Sequence, residues 1–384
     1  MKKDSTFLST INKNSILEFL RINGPSSRAD LARKLNLSFP AVSSNVKALL
    51  DMDLIHEGGE GNNVLGRKST FLIFNANRFY LIGVDMGRSH IRTMCSNIAG
   101  EIKYYKSIKS GKGDIFHAIL SQIKTAAVEA GIAMESVICI GIGIPGIYDE
   151  KTHAHLLAPF LDDLETKDLF PRLKNSFTDK IMFFENSVNL GAVGERWKGC
   201  AQDYDNVVYM EFAVGIGAAI LHKGKILYGA NGAAGEIGYM AMESSILRSK
   251  FENEGALEKL IPSRLIRQYI DERIKEGETD LGIIMDDIQK EYHSCGIEQL
   301  LKYFAMAIIN TAAVINPEIV VISGRLGTAI FSLYEKEINH LVVSHIPFPP
   351  LITCSILEEK GNVLGAIALA QEYAIRDYIN LASN

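Results

Sequence analysis

The stretch from Tyr80 to Ile142 does most to limit the fold. Tyr80–Val84, Ile91–Ser96 and Ile102–Ile108 are strand-like runs, the last two separated by Ala99-Gly100 as in an antiparallel hairpin. Asp114–Ala130 has helical spacing, and Val137–Ile142 is another buried-strand run. The order is therefore β-β-β-α-β. Glycine turns close its first and last strands, at Asp85-Met86-Gly87-Arg88-Ser89-His90 and Gly143-Ile144-Pro145-Gly146-Ile147. Similar material follows: Ile181–Phe184 and Asn206–Phe212 read as strands, and a strand pair turns at Lys223-Gly224. Leu300–Ile315 is an apolar helix ending at Asn316-Pro317, Ile319–Ile322 is a strand, and Leu364–Ala370 lies on a small-residue helix expected to pack across two lobes. The body is an α/β unit of about residues 77–384. Its first lobe is expected over about 77–180 plus the C-terminal helix, and its second over about 181–360.

The first 76 residues follow a different pattern. Ile16, Leu17 and Leu20 mark one helix, and Ser27-Arg28-Ala29-Asp30 is a capping box opening a second. Ser38 caps a third, whose Val42, Val46, Leu49 and Leu50 form a buried stripe. Leu54-Ile55 and Thr70–Phe74 flank a Gly- and Asn-rich loop as the strands of a wing. Helices joined by a tight turn, then a hairpin, make a winged helix-turn-helix; a three-helix packing bundle is the plainer alternative. From Ser38 to Leu50 there is no acid. Ser38, Ser43, Ser44 and Asn45 suit base edges, while Arg28, Lys47, Arg67 and Lys68 suit phosphates or a minor groove. Residues 1–80 hold 11 lysines and arginines against 7 acids, a net of +4, and the rest of the chain carries −9. A basic front on an acidic body fits a nucleic-acid-facing module, though +4 is also an ordinary solvated surface.

At 384 residues and 47% apolar, the chain can bury more than one core. No apolar run reaches the roughly 18–20 residues that span a bilayer, and the start is polar, so the expected location is cytoplasmic, with no membrane partner. Cys95, Cys139, Cys200, Cys295 and Cys354 are scattered without a C-x-x-C pair, which argues against disulfides and a Cys-rich metal site.

Two polar stretches stand out. Glu185-Asn186-Ser187-Val188-Asn189 follows the strand Ile181–Phe184 and runs on to Gly194-Glu195; Gly235-Glu236-Ile237-Gly238-Tyr239 ends a Gly-rich loop. The first reads equally as a turn with a helix cap or as a holder for a small polar ligand. Together with Gly255-Ala256-Leu257-Glu258, these motifs resemble the sugar-site signatures of the ROK family (repressors, open reading frames and kinases). The front half of the pattern agrees: Gly24 to Ala32, Leu37-Ser38, Val42-Ser43 and Gly66-Arg67-Lys68 resemble the DNA-binding region of ROK repressors. The β-β-β-α-β order resembles the actin-like ATPase fold of sugar kinases.

The resemblance implies that Asn186, Ser187, Glu236, Tyr239 and Glu258 face a sugar effector. It also marks departures. Ser187 stands where the family's kinases carry the Asp that takes a proton from the sugar, and a serine hydroxyl is no base near neutral pH. Arg88 replaces the second glycine of the Asp-x-Gly-Gly-Thr phosphate loop, and Ala213–Ala218 lacks the phosphate-contacting Thr of Gly-Thr-Gly-Ile-Gly-Gly. Tyr239 replaces the family's His, and the Cys of Gly-Cys-x-Glu is lost, so no zinc, no cofactor and no catalytic residue are expected. The chain resembles the xylose-repressor type within the family, through Glu185-Asn186 and Asn189. The expectation is a sugar-responsive repressor of carbohydrate-utilisation genes. It would bind a palindromic operator as a homodimer or higher homo-oligomer, with sugar binding shifting the balance between two lobe arrangements. Two rivals stay open: an ATP-dependent sugar kinase with an added DNA module, and a repressor controlled by a protein partner. Glu236 and Glu258 as a glycosidase pair is a third, weaker reading.

Overall fold

The computed structural model describes residues 2–61, 69–87, 90–110, 114–149, 154–156, 168–213, 215–248, 255–261, 269, 272–273, 283 and 297–381. The head runs α1 (Lys2–Asn23), β1 (Ser26–Ser27), α2 (Arg28–Lys34), α3 (Phe39–Asp51), β2 (Ile55–Gly61) and β3 (Ser69–Phe74). The expected caps are in place. Ser27 accepts the Asp30 N–H at 3.2 Å and donates to the Asp30 carboxylate at 2.7 Å, and Ser38 accepts the Ala41 N–H at 3.4 Å. The turn between α2 and α3 passes through Asn36 at φ 53°, a left-handed conformation that asparagine tolerates. Strand β3 lies between β1 and β2, all antiparallel. The wing residues Arg67 and Lys68 lie outside the described residues.

The body holds two five-stranded sheets of one plan. In the first, β4 (Tyr80–Met86), β5 (His90–Asn97) and β6 (Ile102–Lys109) form an antiparallel meander. After α4 (Ile115–Glu129), β7 (Val137–Ile144) joins parallel to β4. A short antiparallel pair, β8 (Ile147–Asp149) and β9 (Ala154–Leu156), comes next. After α5 (Leu169–Ser176), β10 (Ile181–Asn186) pairs parallel to β7 as an edge strand. The sequence reading opens the second lobe at residue 181; the pairing puts that strand in the first sheet, so the boundary between the sheets falls after β10. The first sheet thus runs β10-β7-β4-β5-β6. Its outer face is sealed by Ile119, Ile123 and Ala126 of α4 and by Phe170 and Leu173 of α5.

The connecting helix is α6 (Ser187–Lys198). The second sheet begins with β11 (Val207–Phe212), β12 (Ile216–His222) and β13 (Lys225–Ile226). After α7 (Ala256–Leu260) and α8 (Ile297–Ile315), β14 (Ile319–Ser323) lies parallel to β11. After α9 (Arg325–Val343), β15 (Leu351–Cys354) lies parallel to β14, giving the order β13-β12-β11-β14-β15. Phe212 stacks on Phe304 of α8 inside this lobe's outer core, at 4.4 Å between ring centroids.

Helix α6 and the last helix, α10 (Gly361–Leu381), pack against each other between the sheets. Glycine makes this approach feasible. A Cβ at Gly194 would sit 2.2 Å from the Gly361 carbonyl oxygen, and one at Gly365 would sit 1.9 Å from that of Leu190. Helix α10 also reaches the head. Ile16, Leu17 and Leu20 of α1, Leu72 of β3, Phe79 and Leu81, and Ile367, Ala370 and Ala374 of α10 belong to one buried apolar cluster. No helix among the described residues is long and apolar enough to cross a membrane.

Candidate functional site

On the head, α3 exposes Ser38, Ser44 and Lys47 and half-exposes Ser43. Arg28 donates to Glu57 at 2.7 Å, tying the start of α2 to the wing strand. Asn45 corrects the sequence reading. It falls three residues after Val42, on the inward stripe with Val42, Val46 and Leu49, and is 5% exposed. Its Oδ1 accepts from Ser9 of α1 at 2.8 Å, and its Nδ2 donates to the Ala41 carbonyl at 2.8 Å. Its amide therefore pins α1 to α3 and does not face a groove.

Two of the body's candidate residues lie where α6 begins. Asn186 is the N-cap: its Oδ1 accepts the N–H groups of Val188 at 2.7 Å and Asn189 at 3.3 Å, and its Nδ2 donates to the Gly146 carbonyl at 3.0 Å. The stretch read as a polar turn is thus the last strand residue and the first turn of a helix. Glu185 accepts from the Asn186 N–H, from Asn189 Nδ2 and from the hydroxyl of Tyr228, each at 2.8 Å. Tyr228 follows the second sheet's β13, so this carboxylate joins the two lobes. Burial pushes the Glu185 carboxyl up, against the pull of those hydrogen bonds.

Ser187 donates to Asp85 Oδ1 at 3.2 Å. Asp85 is 2% exposed and also takes Arg92 Nη1 at 3.2 Å and Asn362 Nδ2 at 3.4 Å. Burial pushes the Asp85 carboxyl up while Arg92 opposes it. Arg92 continues to Glu359 at 2.9 Å. Its guanidinium lies in the turn after β4, close enough that a Cβ on Gly87 would meet Nη1 at 3.2 Å. A carboxylate at position 187 would face Asp85 as a like charge, whereas the serine is a donor to it. Arg88 and Val214, at the altered phosphate-loop positions, lie outside the described residues.

The second lobe contributes the other candidates. Val188 at the start of α6 lies 3.6 Å from where a Cβ on Gly217 would be, which brings the start of β12 over the helix end. Glu258 Oε1 accepts the Ile216 N–H at 2.9 Å, and its Oε2 accepts the Gly255 N–H at 2.8 Å. Its carboxylate caps its own helix and anchors β12. Glu236 has no hydrogen-bond partner among the described residues, and its carboxyl is raised by burial and by the Glu258 charge. Tyr239 feels burial and both carboxylates, which raise its hydroxyl. Glu236, Tyr239 and Glu258 thus lie close enough in the second lobe to act on one another electrostatically, while Asn186 and Ser187 lie at the start of α6, Asn186 as its cap. Sequence reasoning missed Glu185 and Tyr228 as a lobe-to-lobe contact, and Arg92 and Glu359 as charged partners in line with Asp85. An arginine inside the apolar run Ile91–Cys95 was the available signal. Among the described residues no group of three or more His, Cys, Asp or Glu could hold a metal.

A winged helix-turn-helix head on a body of two sheets of one plan defines a DNA-binding regulator whose body has the architecture of sugar kinases. The ROK family model matches residues 81–373, and a winged helix-turn-helix DNA-binding model matches residues 10–56. The chain belongs to the ROK family. It is 26% identical over 385 residues to the xylose repressor of Caldicellulosiruptor bescii, covering 95% of this chain and 96% of that one. It is also 26% identical over 379 residues to the xylose repressor of Bacillus subtilis, covering 96% and 97%. Among solved structures, a ROK family transcriptional regulator described as a homolog of the Escherichia coli MLC protein superposes with a TM-score of 0.77 at 23% identity, over 98% of this chain and 99% of that one.

Proposed function

We propose that this chain is a sugar-responsive transcriptional repressor of carbohydrate-utilisation genes, its body a non-catalytic effector sensor. The observation that carries this reading is the chemistry around Ser187 and Glu236. The hydroxyl of Ser187 is a donor to Asp85, Arg92 neutralises that carboxylate, and Glu236 is left without a hydrogen-bond partner among the described residues. Such an arrangement has acceptors and hydroxyls for a polyol and, at position 187 where the family's kinases carry their base, only a serine. The relatives named xylose repressor make a pentose the first effector to try. Ser38, Ser43, Ser44, Lys47 and Arg28, and by sequence Arg67 and Lys68, would face operator DNA. The head's single reading helix favours a homodimer on a palindromic site.

The test is a panel of pentoses and hexoses, xylose first, scored by thermal stabilisation of the purified protein and by release of DNA from its own promoter region. A sugar that does both is the expected result. The sugar reading fails if none shifts the melting curve or the operator affinity. Sugar-dependent ATP turnover that persists in purified protein would favour a kinase, and stoichiometric zinc would overturn the reading of Tyr239.

A further inference from the structure

Glu359 lies in the short turn Glu358–Lys360 that leads from β15 of the second sheet into α10. Its carboxylate reaches back to Arg92 on β5 of the first sheet at 2.9 Å, and the positive charge of Arg325 also favours its ionised form. Arg92 bridges it to Asp85, and Asp85 accepts from Ser187 at the head of α6 and from Asn362 in the first turn of α10. Four elements therefore converge on two carboxylates and one guanidinium: β4, β5, α6 and α10. The segment before Glu359 is fixed too, since Glu195 of α6 accepts from Ser355 Oγ at 2.5 Å and from the Leu357 N–H at 3.1 Å.

We propose that Asp85, Arg92 and Glu359 form a latch that holds the present lobe arrangement and passes occupancy at Ser187 to α10 and hence to the head. This rests on the sugar-sensor reading above. Ser187 has one hydroxyl proton, and here it goes to Asp85. A sugar that takes the Ser187 hydroxyl competes with that bond, which weakens Asp85's hold on α6. The latch therefore favours the sugar-free arrangement, and loosening it raises apparent sugar affinity, because less of the population must be moved. Helix α10 touches both ends of the path. Asn362 sits on Asp85, and Ala374 lies in the apolar cluster shared with Ile16, Leu17 and Leu20 of the head.

Glu359→Gln is the chosen variant. Its side chain is 61% exposed, and the change leaves the buried Asp85–Arg92 pair intact, so folding is retained. An exposed charge pair sets the scale, so the sugar concentration for half-maximal operator release should fall roughly two- to fivefold. Glu359→Asp should return it toward wild type. An unchanged midpoint in Glu359→Gln, beside an unchanged melting curve, overturns the latch. If no sugar acts on the wild type, the sensor reading itself has failed, and amide hydrogen exchange without sugar then decides. The latch predicts faster exchange in Glu359→Gln both in the first turn of α10 and at Val188 and Asn189 of α6, next to Ser187. Exchange unchanged at α6 overturns it.

Discussion

Replacing Glu258 by Gln separates a brace from a ligand. Both carboxylate oxygens hold backbone donors, Ile216 N–H at 2.9 Å and Gly255 N–H at 2.8 Å. Ile216 is 3% exposed, so its N–H has no water to turn to. Glutamine keeps the shape but offers one oxygen; its NH2 must face the other N–H, donor against donor. A hydrogen bond to a charged group contributes about 1.5–3 kcal/mol, so losing one and orphaning its partner should destabilise the second lobe by roughly 2–3 kcal/mol. At about 2–4 °C per kcal/mol for a unit of 150–250 residues, the melting temperature should fall by roughly 4–12 °C. Differential scanning calorimetry of wild type and variant measures this directly, beside operator release against sugar. A melting temperature within about 1 °C of wild type, together with a lost sugar response, would refute the brace and make Glu258 a ligand alone.

Asn45→Ala should remove the Ser9 and Ala41 hydrogen bonds and destabilise the head by about 1–2 kcal/mol. Specific and random DNA should weaken together, so a fall in their affinity ratio at unchanged stability would contradict the inward placement. Lys47→Ala should weaken binding to every sequence and reduce the slope of log affinity against log salt by about 0.9, read by fluorescence anisotropy from low to moderate salt. Glu236→Gln should abolish the sugar response yet raise the melting temperature at neutral pH. The folded carboxyl binds its proton more tightly than the unfolded one, so the wild type gains stability as pH falls through the raised value. The variant's advantage should therefore shrink toward pH 4, and an advantage that is constant with pH would count against the assignment.

Local signals carried much of the architecture. Strand runs, caps and the α3 stripe were written in apolar spacing and in Ser27 and Ser38, whose side chains do accept the first free N–H groups of their helices. Partners far apart in the chain were not legible. That Ile181–Asn186 joins the first sheet depends on β7, some forty residues earlier, offering an open parallel edge. Asn45 was misplaced because a polar side chain at an inward position is only recognised once Ser9 is seen beside it. The candidate site residues were named by motif, but motif spacing does not reveal that Asn186 spends its amide on the helix end and Gly146, or that Arg92 lies against Asp85.

The apolar cluster that runs from α1 through Phe79 into α10 bears on how such regulators can be rebuilt. A chimera cut near residue 76 would graft a foreign head onto α10 side chains shaped for Ile16, Leu17 and Leu20, leaving a mismatched seam. Exchanging DNA specificity between relatives would then require moving the end of the chain along with its beginning, two segments some three hundred residues apart that behave as a single heritable piece. The alternative is to leave α1 in place and transplant only the exposed positions of α3.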